Sequence, residues 1–144
     1  MDYKRLALTA VVAWVVDSVY GLAVFVGLLG NEMGRYPALF RPQAEMNSFL
    51  PLIFAGSLVA MFVLVYIYAK GYEGGSGLTE GFRFGLLIAI LFTGFMSIGL
   101  YGTFSIDGRL ALMLSVATFV EMLVDGTVIG LVYRGTPARV AVRT

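Results

Sequence analysis

Asp17, Glu121 and Asp125 each lie inside a long apolar run, whereas every other charged residue sits at the edge of such a run or outside it. A charged side chain at the centre of a membrane helix costs at least about 2.5–3.5 kcal/mol on insertion scales, which makes such a residue a functional candidate by default. No Lys or Arg lies at their depth. Desolvation and mutual repulsion both favour the neutral acid, and neighbouring acids titrate as a unit. At least one of the three is therefore expected to hold a proton at neutral pH, unless a bound cation or a partner subunit supplies positive charge. The chemistry this set offers is reversible binding of protons or of a cation. Other chemistries are narrowed by what is missing: there is no Cys and no His, hence no disulfide, thiolate, imidazole base or usual zinc, copper or haem ligand set. Carboxylates alone can do acid–base work, but no nucleophile–base pair and no metal or cofactor motif accompanies them. No catalytic residue is assigned, no cofactor is expected, and metal binding is left open.

Spacing places further polar groups beside the acids. Glu121 and Asp125 are four apart and share a helix face, which Thr118 extends by a turn. Thr93, Ser97 and Tyr101 recur at the same spacing on another run. Ser18 adjoins Asp17, with Trp14 one turn back and Tyr20 one turn on. The first, third and fourth runs are thus expected to line a common polar seam, while the second, offering only Ser57, reads as a lipid-facing or packing helix. A plainer role for the acids is to hydrogen-bond neighbouring helices together.

The elements that must carry these residues follow from composition. Of 144 residues, 59% are hydrophobic and 13% charged, against about 45–50% and 25% in soluble domains, and a domain this small cannot hide that much apolar surface. About 20 apolar residues cross a bilayer core, and four runs qualify, at 6–29, 49–69, 82–104 and 110–133. The fold class is all-α, a four-helix membrane bundle in a single domain. Counting along each helix from the proposed inner side puts Asp17, Glu121 and Asp125 about 16, 18 and 12 Å deep. The first run is too long for a signal-peptide core and lacks a cleavage site, so it reads as a retained helix.

Basic residues set the orientation. Lys4, Arg5, Lys70, Arg83, Arg134, Arg139 and Arg143 fall on one side and Arg35, Arg41 and Arg109 on the other, seven against three. Both termini are therefore expected in the cytoplasm, with the protein in the inner (plasma) membrane. Tyr66, Tyr68, Tyr72, Phe82, Phe84 and Tyr133 would form the inner aromatic belt, and Tyr36, Phe40, Phe49, Tyr101 and Phe104 the outer one. The outer connection, 30–48, is too polar to span and would dip Leu39, Phe40 and Met46 into lipid. The inner connection, 70–81, is rich in glycine but lacks the Lys-Ser/Thr of a phosphate loop, so it reads as a hairpin turn. Ser76 or Thr79 would cap the next helix, with Glu80 in its first turn. Pro51 falls in the first turn of the second run, where a missing amide hydrogen costs nothing. Gly21, Gly27, Gly94, Gly99, Gly102, Gly126 and Gly130 mark expected close helix contacts. The few scattered basic residues are accounted for by orientation, so no nucleic-acid partner is expected.

Two similarities complete the reading. Placing Arg5 on Arg109 aligns Arg-Leu-Ala-Leu with Arg-Leu-Ala-Leu and Asp17 with Glu121, which would make the first and fourth helices an inverted pair of the kind transporters use. The start of the third helix, Glu80-Gly81-Phe-Arg83-Phe-Gly85, and the end of the fourth, Gly130-Leu-Val-Tyr-Arg134, with an acid inside that helix, resemble small uncharacterised four-helix inner-membrane proteins of bacteria. The resemblance covers about residues 65–135. It implies location and fold and brings no activity with it. Small multidrug-resistance exporters are a poor match, having shorter loops, a Glu as key residue and no acids in the last helix. The sequence thus points to proton- or cation-coupled transport through Asp17, Glu121 and Asp125, as a possible homo-oligomer in the lipid bilayer. The alternatives are an accessory subunit of a larger membrane complex, whose Lys or Arg would meet the acids, and an integral membrane enzyme or lipid- or quinone-binding protein.

Overall fold

The computed structural model describes residues 2–133; Arg134, Arg139 and Arg143, which enter the orientation balance, lie outside the described residues. Helix α1, Tyr3–Gly21, continues without interruption as a π-helical stretch, Leu22–Leu28. A single turn, α2, Gly30–Met33, and an irregular segment lead to α3, Gln43–Gly71. Helix α4, Gly77–Phe92, passes through a second π-helical stretch, Thr93–Ile98, into α5, Gly99–Thr103. Helix α6 spans Gly108–Val132. Four helices are long and apolar enough to cross a membrane: Tyr3–Leu28, Gln43–Gly71, Gly77–Thr103 and Gly108–Val132. Their outward faces carry Leu, Val, Ile and Phe along most of their length, as contact with hydrocarbon requires.

Helix ends are fixed by side chains, twice in ways the sequence did not suggest. Asp2 accepts from the amides of Lys4 and Arg5 at 3.1 and 3.3 Å, and Asp107 accepts from that of Leu110 at 2.7 Å, each filling donors that a helix start leaves open. Donation by the Leu110 amide and the nearby Tyr36 hydroxyl hold the Asp107 carboxyl below its ordinary range. Helix α4 begins at Gly77, so Gly77 and Gly81 are helical and the connection before them is short. Ser76 occupies the cap position without a side-chain bond. Glu80 does that work instead, accepting from the amides of Glu73 at 3.1 Å and Gly75, while Gly74 takes a positive φ of 88° in the turn. Helix α3 begins at Gln43 rather than at 49. Pro51 is therefore internal, and its missing amide hydrogen deprives the Asn47 carbonyl of its helical donor.

The helices alternate in direction. The ends bearing Tyr3, Gly71, Gly77 and Val132 lie together at what we term the proximal end, and the 29–42 and 104–107 connections lie at the distal end. Packing follows the order α3, α1, α6, α4, with α3 and α4 meeting through Tyr68 and Phe84, whose ring centroids are 5.3 Å apart. Tyr68, Tyr72 and Tyr133 pack edge to face or tilted within 6 Å and are buried. These rings, expected as an interfacial belt, are instead part of a core with Leu6, Ala10, Ala13, Met61, Val65 and Ile129; Tyr66 and Phe82 remain exposed.

Helices α4 and α6 touch backbone to backbone. A Cβ on Gly81 would come 2.5 Å from the Gly126 carbonyl oxygen, one on Gly85 2.8 Å from that of Met122, and one on Gly77 would overlap Gly130. The Gly126/Gly130 pair is thus consumed within the chain. The expected contacts at Gly94, Gly99 and Gly102 are not made among the described residues, where nothing lies within 4 Å of a Cβ at any of them. The glycines that matter in this span are earlier, at Gly77, Gly81 and Gly85.

Candidate functional site: a cavity floored by two acids

Asp17 on α1 and Glu121 on α6 line one cavity of about 270 Å³, together with Ser18, Gly21 and Ser57. Two features of α1 shape it. At Gly21 the α1 backbone passes close to the Glu121 carboxylate, an added Cβ meeting its Oε1 at 4.0 Å. Beyond Gly21 the π-helical stretch begins, with the Leu29 amide donating five residues back to the Val24 carbonyl at 2.8 Å; its Leu22, Phe25 and Val26 form one apolar wall. π-Helical turns inside α-helices are frequent at functional sites. The facing wall is Leu50, Ile53 and Phe54 of α3, the segment around Pro51.

The α3 contribution corrects the expected seam. Ser57, the single hydroxyl of the middle of α3, is central: its Oγ accepts from Trp14 Nε1 at 3.0 Å, and the same Nε1 also donates to the Phe54 carbonyl at 3.0 Å. The Ser57 hydroxyl has one proton to give and two acceptors in reach, the Phe54 carbonyl at 3.3 Å and the Asp17 carboxyl. A protonated Asp17 can itself donate to Ser57, so the pair tolerates either charge state of the acid. The Trp14 ring stands edge-on to Phe54, with centroids 6.2 Å apart. Trp14, Asp17 and Ser57 therefore form one unit across α1 and α3.

The third span does not line this cavity. Thr93, Ser97 and Tyr101 share a face only while the helix is α, and Thr93–Ile98 is π-helical. Ser97 is buried, the Thr93 hydroxyl is buried without a hydrogen-bond partner among the described residues, and Tyr101 is 53% exposed. Thr118 is half-buried on α6 and is not part of the cavity wall either. Ser18 does line it, with an Oγ that is buried and unpartnered among the described residues.

Asp125 lies one turn from Glu121 toward the proximal end. It is 2% exposed, and neither carboxylate oxygen has a hydrogen-bond partner among the described residues. Electrostatically it senses Asp17 and Glu121. Tyr20, whose hydroxyl donates to the Ala117 carbonyl at 2.8 Å, senses both acids of α6 and ties α1 to α6 just distal to them. The three acids are near neighbours without forming one ligand set: among the described residues no group of three acids could hold a metal ion.

A larger chamber of about 810 Å³ opens at the distal end and shares Met33, Met46 and Ile53 with the inner cavity. Met46, expected to dip into lipid, thus stands between two chambers. Arg35 and Arg41 line the outer chamber and are paired, with Glu32 at 3.0 Å and Glu45 at 3.7 Å. Spacing alone places Trp14 and Tyr20 beside Asp17; it does not reveal the role of Ser57, whose lone hydroxyl marks the helix as polar at that point without saying which way it faces. Comparison with family models, curated proteins and solved structures finds no match.

Proposed function

We propose that this chain is a small multi-pass transport protein of the inner membrane that couples movement of its substrate to protons held by Asp17, Glu121 and Asp125. The observation that carries this reading is that Asp17 and Glu121, from different helices, face one cavity. Asp125 then extends the acids toward the proximal end. A proton arriving from the distal chamber would meet Asp17 and Ser57 first, pass to Glu121 and leave by Asp125. Each of these groups can both accept and donate when neutral acid and carboxylate alternate. Protons suit the arrangement better than a metal ion, which needs more ligands than two separated carboxylates provide.

Orientation follows from the basic residues, with both termini cytoplasmic. Because there is no native cysteine, Ser76→Cys and Arg41→Cys can be labelled from opposite sides with an impermeant maleimide in intact cells. Only Arg41→Cys should react; labelling of Ser76→Cys alone reverses the topology. For the transport reading, purified protein in vesicles with an entrapped pH dye is expected to pass protons. Asp17→Asn and Glu121→Gln should each reduce the flux about tenfold or more, within the usual range for removing a proton-transfer group. Flux equal in all three proteins overturns it.

A second reading, an accessory subunit of a larger membrane complex, is favoured by Gly94, Gly99 and Gly102. These small residues sit on the third span with nothing within 4 Å of an added Cβ among the described residues and permit another helix to approach closely. Purification in mild detergent separates the cases: a stoichiometric foreign partner favours the subunit, and a monodisperse species of this chain alone favours independent action.

A further inference from the structure

We infer that the cavity beside Asp17 and Glu121 binds an amphipathic organic monocation, admitted from the distal chamber past Met33 and Met46. The inference rests on the reading of these acids as working groups and names what the site takes. The cavity has two chemistries at two ends. Its walls, Leu22, Phe25 and Phe54 among them, are apolar, and its polar groups are confined to Asp17, Ser18, Ser57 and Glu121. A small hydrated cation would gain nothing from the walls. An anion would be repelled by the floor, and a neutral hydrocarbon would leave the acids facing it without compensation. A body with apolar surface and one positive charge satisfies both ends, and Phe25 and Phe54 among the lining bring aromatic rings, which attract cations. The buried Ser18 hydroxyl, unpartnered among the described residues, is one further acceptor for such a group.

Size and access agree. At about 270 Å³ the cavity lies just below the roughly 300–1,000 Å³ typical of drug-sized ligand sites, which suits a single-ring amine. Met33 and Met46 border both chambers, and unbranched, flexible methionine side chains can move aside for a guest. The distal arginines do not bar a cation, because acids balance them: Arg41 meets Glu45, and Arg35 and Arg109 share Glu32 with Asp107 close by.

Trp14 supplies the measurement. It is the only tryptophan and hydrogen-bonds Ser57 and Phe54, both part of the cavity wall. The full chain in detergent micelles is titrated with benzyltrimethylammonium, with its uncharged isostere neopentylbenzene, and with tetramethylammonium. The expected result is a saturable change in Trp14 emission with benzyltrimethylammonium, about tenfold weaker apparent affinity in Asp17→Asn or Glu121→Gln, equivalent to one charge contact, and weaker binding of both other probes. Val26→Phe, which narrows the apolar part of the cavity, should also weaken binding of benzyltrimethylammonium. An equal response to neopentylbenzene marks a hydrocarbon groove and overturns the inference, as does an affinity indifferent to both acids. Acid-dependent proton flux without saturable binding overturns this inference alone. Saturable, charge-dependent binding with flux indifferent to both acids supports it and overturns the proton coupling.

Discussion

Asp107 and Asp125 belong to the same helical region, and their surroundings set them to opposite tasks. Asp107 is exposed and accepts the Leu110 amide, so its ionised form stabilises the start of α6. A carboxyl held below its unfolded value contributes above that value, about 4, and loses the contribution as pH falls through its lowered value in the folded protein. Asp107→Ala should therefore melt below the natural protein at pH 7, and the two curves should converge in acid, as read by circular dichroism in detergent. Asp125 is buried with neither oxygen bonded among the described residues, which favours no folded state. Replacing an unsatisfied buried polar group by an apolar one of similar size removes a desolvation cost of about 1–3 kcal/mol. Asp125→Leu is thus expected to raise the melting temperature and abolish proton flux, the pairing of gain and loss typical of functional sites. A variant both less stable and fully active would show that Asp125 holds the fold together instead. At this scale the three acids were legible because charge inside an apolar run is conspicuous. Ser57 was not, because one hydroxyl in an apolar helix carries no periodicity to say which way it faces.

At the scale of elements, the π-helical stretches explain where the expected seam failed. Spacing of four predicts a shared face only for an α-helix, and nothing in Thr93–Ile98 announces i→i+5 bonding in advance. The four long helices themselves were legible from run length. Their starts at Gln43 and Gly77 were not: the first is polar and exposed, held by local pairs such as Gln43 with Asn47, and the second is a glycine fixed by its contact with Gly130 and by the turn that Glu80 closes. The glycine pattern gives a paired prediction. Gly81→Ala forces a methyl against the backbone of Gly126 and should destabilise the protein by about 1–3 kcal/mol. Gly99→Ala meets open space among the described residues and should be neutral or stabilising by up to about 1 kcal/mol through helix propensity. Chemical denaturation in mixed micelles separates the two; equal effects would mean that α4 and α6 do not meet at these glycines.

At the scale of the molecule, the row α3, α1, α6, α4 leaves its two end helices in touch near the proximal end, through Tyr68 and Phe84, while α1 and α3 part distally to form the cavity. The absence of cysteine makes this arrangement testable. Tyr68→Cys with Phe84→Cys should be linked within one chain by a short bifunctional reagent, giving a faster-migrating monomer on a denaturing gel. Leu52→Cys with Phe95→Cys, both on exposed outward faces, should not. Linkage of the second pair but not the first would require a different helix order. The order itself was not legible, since nearly uniform apolar helices declare no preferred neighbour.

The stripe joining α4 and α6 also has a symmetry of its own. Glycines recur every fourth residue at 77, 81 and 85 on one helix and at 126 and 130 on the other, followed on α4 by the buried Ala89. Sliding one helix by four residues, about 6 Å, again brings small residue against small residue, so the stripe allows close approach while barely distinguishing one register from the next. What selects the register is the short connection Phe104–Asp107, anchored by the Asp107 cap on α6 and by the Asp107 amide donating to the Tyr36 hydroxyl at 3.4 Å. A smooth rail with a stop at one end results, and the depth at which Glu121 and Asp125 sit relative to the rest of the molecule is governed from that distal turn.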